Sequence, residues 1–271
     1  MIQEKALRIA FDIDGVVADF NKAFSELIIK HQKELKLFPD TELPVVTDKE
    51  VIKNWYWHMW YPPDAPADGK ITEEQVGEVW KKLFDEHNWW MTLQPLIDIQ
   101  KLVDKLQLLR AEVYFVTVRP PTAGYTPLAQ SQLWLIKHGI SMPNVAISSD
   151  KGVLARSLRI HLFVEDNANN AMDIATATAS NTRVLLHDCP YNRHLLADER
   201  QRIYRIGKDT STLVEEILMH SYKCAVEVGL IHDEDDEVYN SLFDDDIEEI
   251  QEQIPEEHKD GGSEAKQNEE S

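Results

Sequence analysis

Several apolar runs in this chain stop at residues that can do chemistry. Leu7-Arg8-Ile9-Ala10-Phe11 ends in Asp12, with Asp14 and Gly15 just beyond. Thr117 closes the run that starts at Val113, and Asp150 and Lys151 follow Val145-Ala146-Ile147-Ser148. Leu162-Phe163-Val164 delivers Glu165 and Asp166. If these runs are parallel strands, ligands belong outside their carboxyl ends, and acids, a hydroxyl and a lysine share one rim. Clustered carboxylates repel one another unless a cation compensates, so a hard divalent ion is expected, and magnesium suits a few carboxylates plus substrate oxygens and water. An ionised Asp12 can attack phosphorus and form an aspartyl-phosphate. Asp14 can protonate the leaving oxygen and then deprotonate the water that cleaves the intermediate. Thr117 and Lys151 can hold the phosphoryl oxygens. The alternative for Asp12-Ile13-Asp14-Gly15 is a calcium loop, but loop positions five and twelve would be Val16 and Ala23, which carry no ligand. Asp150 alone reads as a helix N-cap, and Asp173 as an ordinary exposed helix residue.

The elements needed to carry these residues are legible. Strands are expected at 7–12, 113–118, 145–148, 162–164, 183–186 and 203–206, separated by amphipathic helices at 18–37, 95–110, 127–138, 169–179 and 211–228. Strands alternating with helices imply a parallel sheet covered on both faces. Residues 39–93 break the pattern: prolines and aromatics dominate, six of the seven tryptophans fall there, and one helix, near 72–84, opens with the capping box Thr72 and Gln75.

The charge is unevenly spread. Residues 232–271 hold 17 acids and two lysines, which is −15 of the chain's −20 and leaves about −5 for the rest. No basic surface for a nucleic-acid duplex is indicated. The segment is read as a disordered acidic tail, with transient helix at Leu242-Phe243 and Ile247 to Ile250; a partner-binding acidic motif is the alternative. Cys189 and Cys224 are too few for a disulfide scaffold. Neither a signal-peptide core nor a bilayer-length apolar run is evident, so a cytoplasmic place is expected.

The stretch 11–20, with "DGVVADF" at its heart, resembles motif I of the haloacid-dehalogenase superfamily. Thr117, Lys151 and Glu165-Asp166 resemble motifs II, III and IV in the same order. Together with "FVTVRPPTAGYTPLAQSQLWLIKHGI", "SSDKGVLA" and "FVEDNANNA", the chain looks most like the 5'(3')-deoxyribonucleotidases over about residues 7–190. The departures are Glu165, where that branch more often has aspartate, and Arg119, which has no mapped counterpart. The resemblance implies a Rossmann-like α/β core over 1–38 and 94–231, and a small helical cap over 39–93. It implies magnesium held by Asp12, the Asp14 backbone carbonyl and Asp166, with Asp12 and Asp14 catalytic.

Some cap rings must form a core of their own. Aromatic faces also stack on bases, worth ~1–3 kcal/mol each, so Trp55, Trp57, Trp60, Trp89 and Trp90 are candidate substrate contacts. Histidines such as His58 and His87 show no ligand spacing. The expected activity is magnesium-dependent hydrolysis of nucleoside monophosphates, deoxyribonucleotides foremost, with no membrane or duplex partner. The rivals are a phosphatase for a sugar phosphate or other small metabolite, and a non-catalytic binding protein that recruits partners through its tail.

Overall fold

The computed structural model of this 271-residue chain describes residues 6–38, 41–232 and 236–244. The first strand, β1 (Leu7–Asp12), is apolar and almost wholly buried, as a central strand covered on both faces must be. It is followed by α1 (Phe20–His31), then by a stretch of short turns with one longer helix, α2 (Glu73–Asp85). After that the chain alternates regularly: α3 (Ile99–Leu108), β2 (Ala111–Thr117), α4 (Pro127–Lys137), β3 (Asn144–Ile147), α5 (Lys151–Leu158), β4 (Leu162–Glu165), α6 (Ala168–Ala177), β5 (Arg183–His187), β6 (Ile203–Ile206), α7 (Leu213–Glu227) and α8 (Asp236–Phe243).

The six strands form one sheet in the order β3-β2-β1-β4-β5-β6, every neighbouring pair parallel. The order reverses beside β1, where the chain leaves β3 at one edge and returns as β4. The crevice at the carboxyl ends of β1 and β4 is therefore the switch point at which such sheets bind ligands. On one face Ile9 and Phe11 of β1 pack with α3 and α7; on the other Ala10, Phe163 and Val184 pack with α5 and α6. This is the Rossmann-like α/β fold expected of the haloacid-dehalogenase superfamily.

Two helices are shorter than their apolar spacing predicts. α1 stops at His31 rather than at 37, because Lys36 and Phe38 turn left-handed at φ 53° and 42° and Gln32 Nε2 donates to the carbonyls of Phe38 and Thr41. The chain folds back and drops Leu37 into the core. α3 starts at Ile99 under an Asp98 cap, not at Pro95. The preceding residues pair with the loop after β1 instead: Leu96 N–H donates to Val17 O at 2.9 Å and Asp19 N–H to Gln94 O at 2.8 Å.

The stretch between α1 and α3 is held by rings. Phe24 of α1 meets Trp57 and Trp80 with centroids 4.9 Å away in each case, and Trp57 lies 4.7 Å from Trp60 and 5.1 Å from Tyr61. α1 thus packs its apolar face on the inserted segment. The Thr72–Gln75 capping box at the start of α2 is formed in both directions.

In the acidic C-terminal region, His232 and residues 236–244 are described, while 233–235 and 245–271, including Ile247 to Ile250, lie outside the described residues. α8 is a packed helix there. Leu242 is fully buried, Tyr239 packs on Tyr222, and Lys105 Nζ of α3 donates to Leu242 O at 2.7 Å and Asp244 O at 3.1 Å. No helix among the described residues is long and apolar enough to cross a membrane.

Candidate active site

The strand ends bring the sequence-predicted residues together. Asp12 closes β1, and the chain then turns so tightly that Gly15 N–H donates to Ala18 O at 2.9 Å and Ala18 N–H to Ile13 O at 2.8 Å. Gly15 sits at φ +89°, and a Cβ there would lie 2.9 Å from Asp166 Cγ and closer still to its Oδ2. Only glycine allows the loop to pass this near the acid at the end of β4.

Lys151, the first residue of α5, is 2% exposed and bridges two strand ends: its Nζ is 2.8 Å from Asp12 Oδ2 and 2.7 Å from Glu165 Oε2. A lysine at a helix start is disfavoured by the helix dipole; here the two buried carboxylates hold it. Burial by itself would lower its pKa, but Asp12 and Glu165 more than offset that and raise it, so the ammonium is charged. Asp150 caps α5 through Val153 N–H, as expected, and the exposed Asp173 accepts from Gly152 N–H at 3.2 Å.

Glu165 is fully buried and taken up by neighbours: besides Lys151, it accepts from Asn167 N–H at 3.0 Å and Asn170 Nδ2 at 3.2 Å. Asp166 differs. Its Oδ2 accepts from the Tyr191 hydroxyl, but its Oδ1 is buried with no partner. Asp12, Glu165 and Asp166 place carboxylate oxygens within 4.8 Å of one another. Three buried acids against one buried ammonium leave excess negative charge. Burial first, then Glu165, raises the pKa of both Asp12 and Asp166. The donor set and the orphaned oxygen suit a hard divalent cation.

Asp14 faces the same space with a 17% exposed side chain. Its Oδ2 accepts from Thr117 Oγ1 at 2.8 Å, so Thr117, a predicted phosphate contact, spends its hydroxyl on Asp14 here. Arg119 Nε and Nη2 also donate to Asp14.

Asp12, Asp14, Thr117, Lys151 and Asp166 line the floor of a cavity of about 470 Å³. The five predicted aromatic contacts separate. Trp55, Trp57 and Trp90 line it. Trp60 and Trp89 are not among the lining residues: both are buried in ring clusters, where they fill the interior. Trp80 and Phe20 also line the cavity and were not among the five predicted aromatic contacts. His58 lines it as well, while His87 does not. Tyr191, beyond the range of the resemblance, closes the side by stacking edge-on to Trp55 at 5.5 Å. Nothing local in the sequence marks it.

The model of the family described as 5' nucleotidase, deoxy (pyrimidine), cytosolic type C protein matches residues 5–209. No curated protein matches the chain by sequence. Among solved structures, the chain is similar to a haloacid-dehalogenase family hydrolase from Deinococcus radiodurans R1 with bound phosphate and sodium. That pair has 12% identity and TM-score 0.47 over 84% of this chain and 98% of that one. A putative phosphoglycolate phosphatase from Lactobacillus delbrueckii subsp. bulgaricus is 13% identical with TM-score 0.48, over 80% of this chain and 99% of that one.

Proposed function

The chain belongs to the cytosolic type C deoxy-pyrimidine 5' nucleotidase family, within the haloacid-dehalogenase superfamily, and on that footing we propose that it hydrolyses nucleoside monophosphates, deoxyribonucleotides foremost, with magnesium. It is a phosphoric monoester hydrolase of the 5'-nucleotidase type. The observation that carries the substrate reading is the joining of two unlike surfaces in one cavity. Its floor holds Asp12, Asp14, Lys151 and Asp166, and its walls carry Trp55, Trp57, Trp80 and Trp90. The floor suits a phosphoryl group and the rings suit a base.

In the proposed mechanism Asp12 attacks phosphorus and forms an aspartyl-phosphate. Asp14 gives its proton to the departing ester oxygen, then takes one from the water that opens the intermediate. The cycle returns both groups to their starting state and releases nucleoside and phosphate. Lys151, already against Asp12 Oδ2, offsets charge on the phosphoryl oxygens, and Glu165 keeps the lysine in place. Thr117 would turn its hydroxyl from Asp14 toward the phosphoryl group. Asp12, the Asp14 backbone carbonyl and Asp166 would hold magnesium, which supplies positive charge against the phosphoryl oxygens. Asp166 Oδ1, buried without a partner, supports that ligand set. Glu165, engaged by Lys151 and two asparagines, is left out of it.

The inserted segment 39–93, together with α1 on which it packs, would act as a cap that excludes bulk water. The cytosolic location rests on the family description.

The test is phosphate release from deoxy- and ribonucleoside 5'- and 3'-monophosphates and from sugar phosphates, with and without magnesium. Magnesium-dependent release favouring deoxynucleotides is expected, and Asp12→Asn should lose nearly all of it. Release only from sugar phosphates would discard the nucleotide assignment; normal turnover by Asp12→Asn would discard the covalent mechanism.

A further inference from the structure

Arg119 has no part in the chemistry above, yet it is among the most constrained side chains at the site. Its side chain is fully buried, while the side chain of Asp14, its partner, is 17% exposed and faces the cavity. Arg119 is not a lining residue. Its guanidinium clamps both carboxylate oxygens of Asp14, Nε to Oδ2 at 2.9 Å and Nη2 to Oδ1 at 2.7 Å. The third nitrogen, Nη1, donates to Ser131 Oγ at 3.0 Å, and that hydroxyl donates in turn to Pro127 O at 2.7 Å. The guanidinium carbon lies 4.9 Å from the Trp90 ring centroid, and Trp90 is itself pinned by Nε1 to Pro120 O at 2.9 Å.

A planar fork fits a carboxylate in one orientation only, which is what separates arginine from lysine at such a place. The fork here is fixed from behind by α4 and covered by an indole, so it transmits its orientation to Asp14. Because it does not reach the cavity, it cannot act by gripping the substrate phosphate directly.

We propose that Arg119 is the positioning residue for Asp14, aiming the acid/base carboxyl at the scissile ester oxygen and then at the attacking water. The inference rests on the phosphatase reading above. It predicts more than lost activity, because the two half-reactions need Asp14 differently. An alkoxide leaving group must be protonated, whereas a nitrophenolate departs without a proton; the water step needs a base whichever ester came first.

The experiment compares wild type, Arg119→Met and Arg119→Lys, with magnesium, on a deoxynucleoside 5'-monophosphate and on p-nitrophenyl phosphate. A misaimed catalytic group costs on the order of 10²-fold, so Arg119→Met should lose about that factor in kcat on the nucleotide with KM little changed. On the aryl ester it should release a rapid burst of nitrophenol approaching one per enzyme, followed by slow turnover as the aspartyl-phosphate accumulates. Arg119→Lys keeps the charge but not the fork, and should show the same burst with a smaller loss; it carries the test if the Met variant does not fold. Equal losses on both esters without a burst, a loss carried by KM, or kinetics like wild type would overturn the proposal. Failure of the wild-type protein to hydrolyse either ester is a separate result: it would remove the phosphatase reading, and the inference with it.

Discussion

At the scale of single residues, the site is organised by which carboxylates already have partners. Glu165 shows this best. Next to Asp166, it stands where the resembled branch more often has aspartate, and it is not among the expected magnesium ligands. In the fold that side chain reaches Lys151, Asn167 N–H and Asn170, so it orients the lysine and Asp166 keeps the unpartnered oxygen. His187 is a second case, invisible in the sequence. It is buried at the end of β5 and donates Nδ1 to Gly15 O at 3.0 Å, since a carbonyl can only accept. Burial lowers its pKa to about 4. An unfolded histidine titrates near 6.5, so between those values the unfolded chain binds a proton that the folded chain refuses. Stability from this group is full above pH ~6.5 and falls as pH drops toward ~4, by at most about 3 kcal/mol. Thermal melts from pH 7 to 4.5 should show a smaller acid loss in His187→Asn, which keeps a donor for Gly15, than in wild type. Equal losses would mean that His187 does not carry the effect.

At the scale of elements, the strands were readable because central parallel strands are buried on both faces and so appear as short unbroken apolar runs. The helix ends were less so. Where α1 stops depends on two left-handed residues and on a glutamine bonding carbonyls six and nine positions ahead, and no apolar periodicity encodes that. α8 is the largest such gap. Its residues lie in an acidic stretch whose composition argues for a solvated chain, but Leu242 and Phe243 meet a groove between α3 and α7 and Lys105 bonds its last carbonyls. Burying a leucine is worth about 1.5–3 kcal/mol. The informative comparison is therefore between the chain ended after 244 and the chain ended after 232. Ending it after 232 should lower the melting temperature by several degrees, since it uncovers the groove and strips the buried Lys105 of two acceptors. Equal melting of both truncations would show that α8 adds nothing.

At the scale of the whole molecule, the segment between α1 and α3 is tied to the rest of the fold by polar and ring contacts, among them Trp90 Nε1 to Pro120 O and Asn88 N–H to Ala123 O. Lys49 Nζ donates to Gly207 O at 2.5 Å, Glu50 pairs with Arg193, and Trp55 meets Tyr191. Charge is the larger matter. Asp166 has a pKa raised by burial and by Glu165, so the metal-free fold carries a penalty that grows as pH rises above the ordinary carboxylate range. A bound divalent ion should reverse it. Magnesium at about 100 times its dissociation constant stabilises by about 2.7 kcal/mol. Melting should rise with magnesium in wild type and stay flat in Asp166→Asn, while at neutral pH the metal-free variant should melt above metal-free wild type. A variant that still responds to magnesium would place the ion elsewhere.

The sequence by itself determined the alternation of strands and helices, the rim positions of Asp12, Asp14, Thr117, Lys151 and Asp166 at strand ends, and an aromatic-rich stretch that breaks the alternation. These are local signals: an apolar run, the polar residue that ends it, a shift in composition. Only the tertiary structure decided which rings face the cavity, that Glu165 serves Lys151, that Arg119 holds Asp14 and that Tyr191 closes the wall. Each of those depends on contacts between side chains brought together by the order β3-β2-β1-β4-β5-β6. A residue's type states which bonds it can make, and its partners follow from which strands and helices the fold sets beside it.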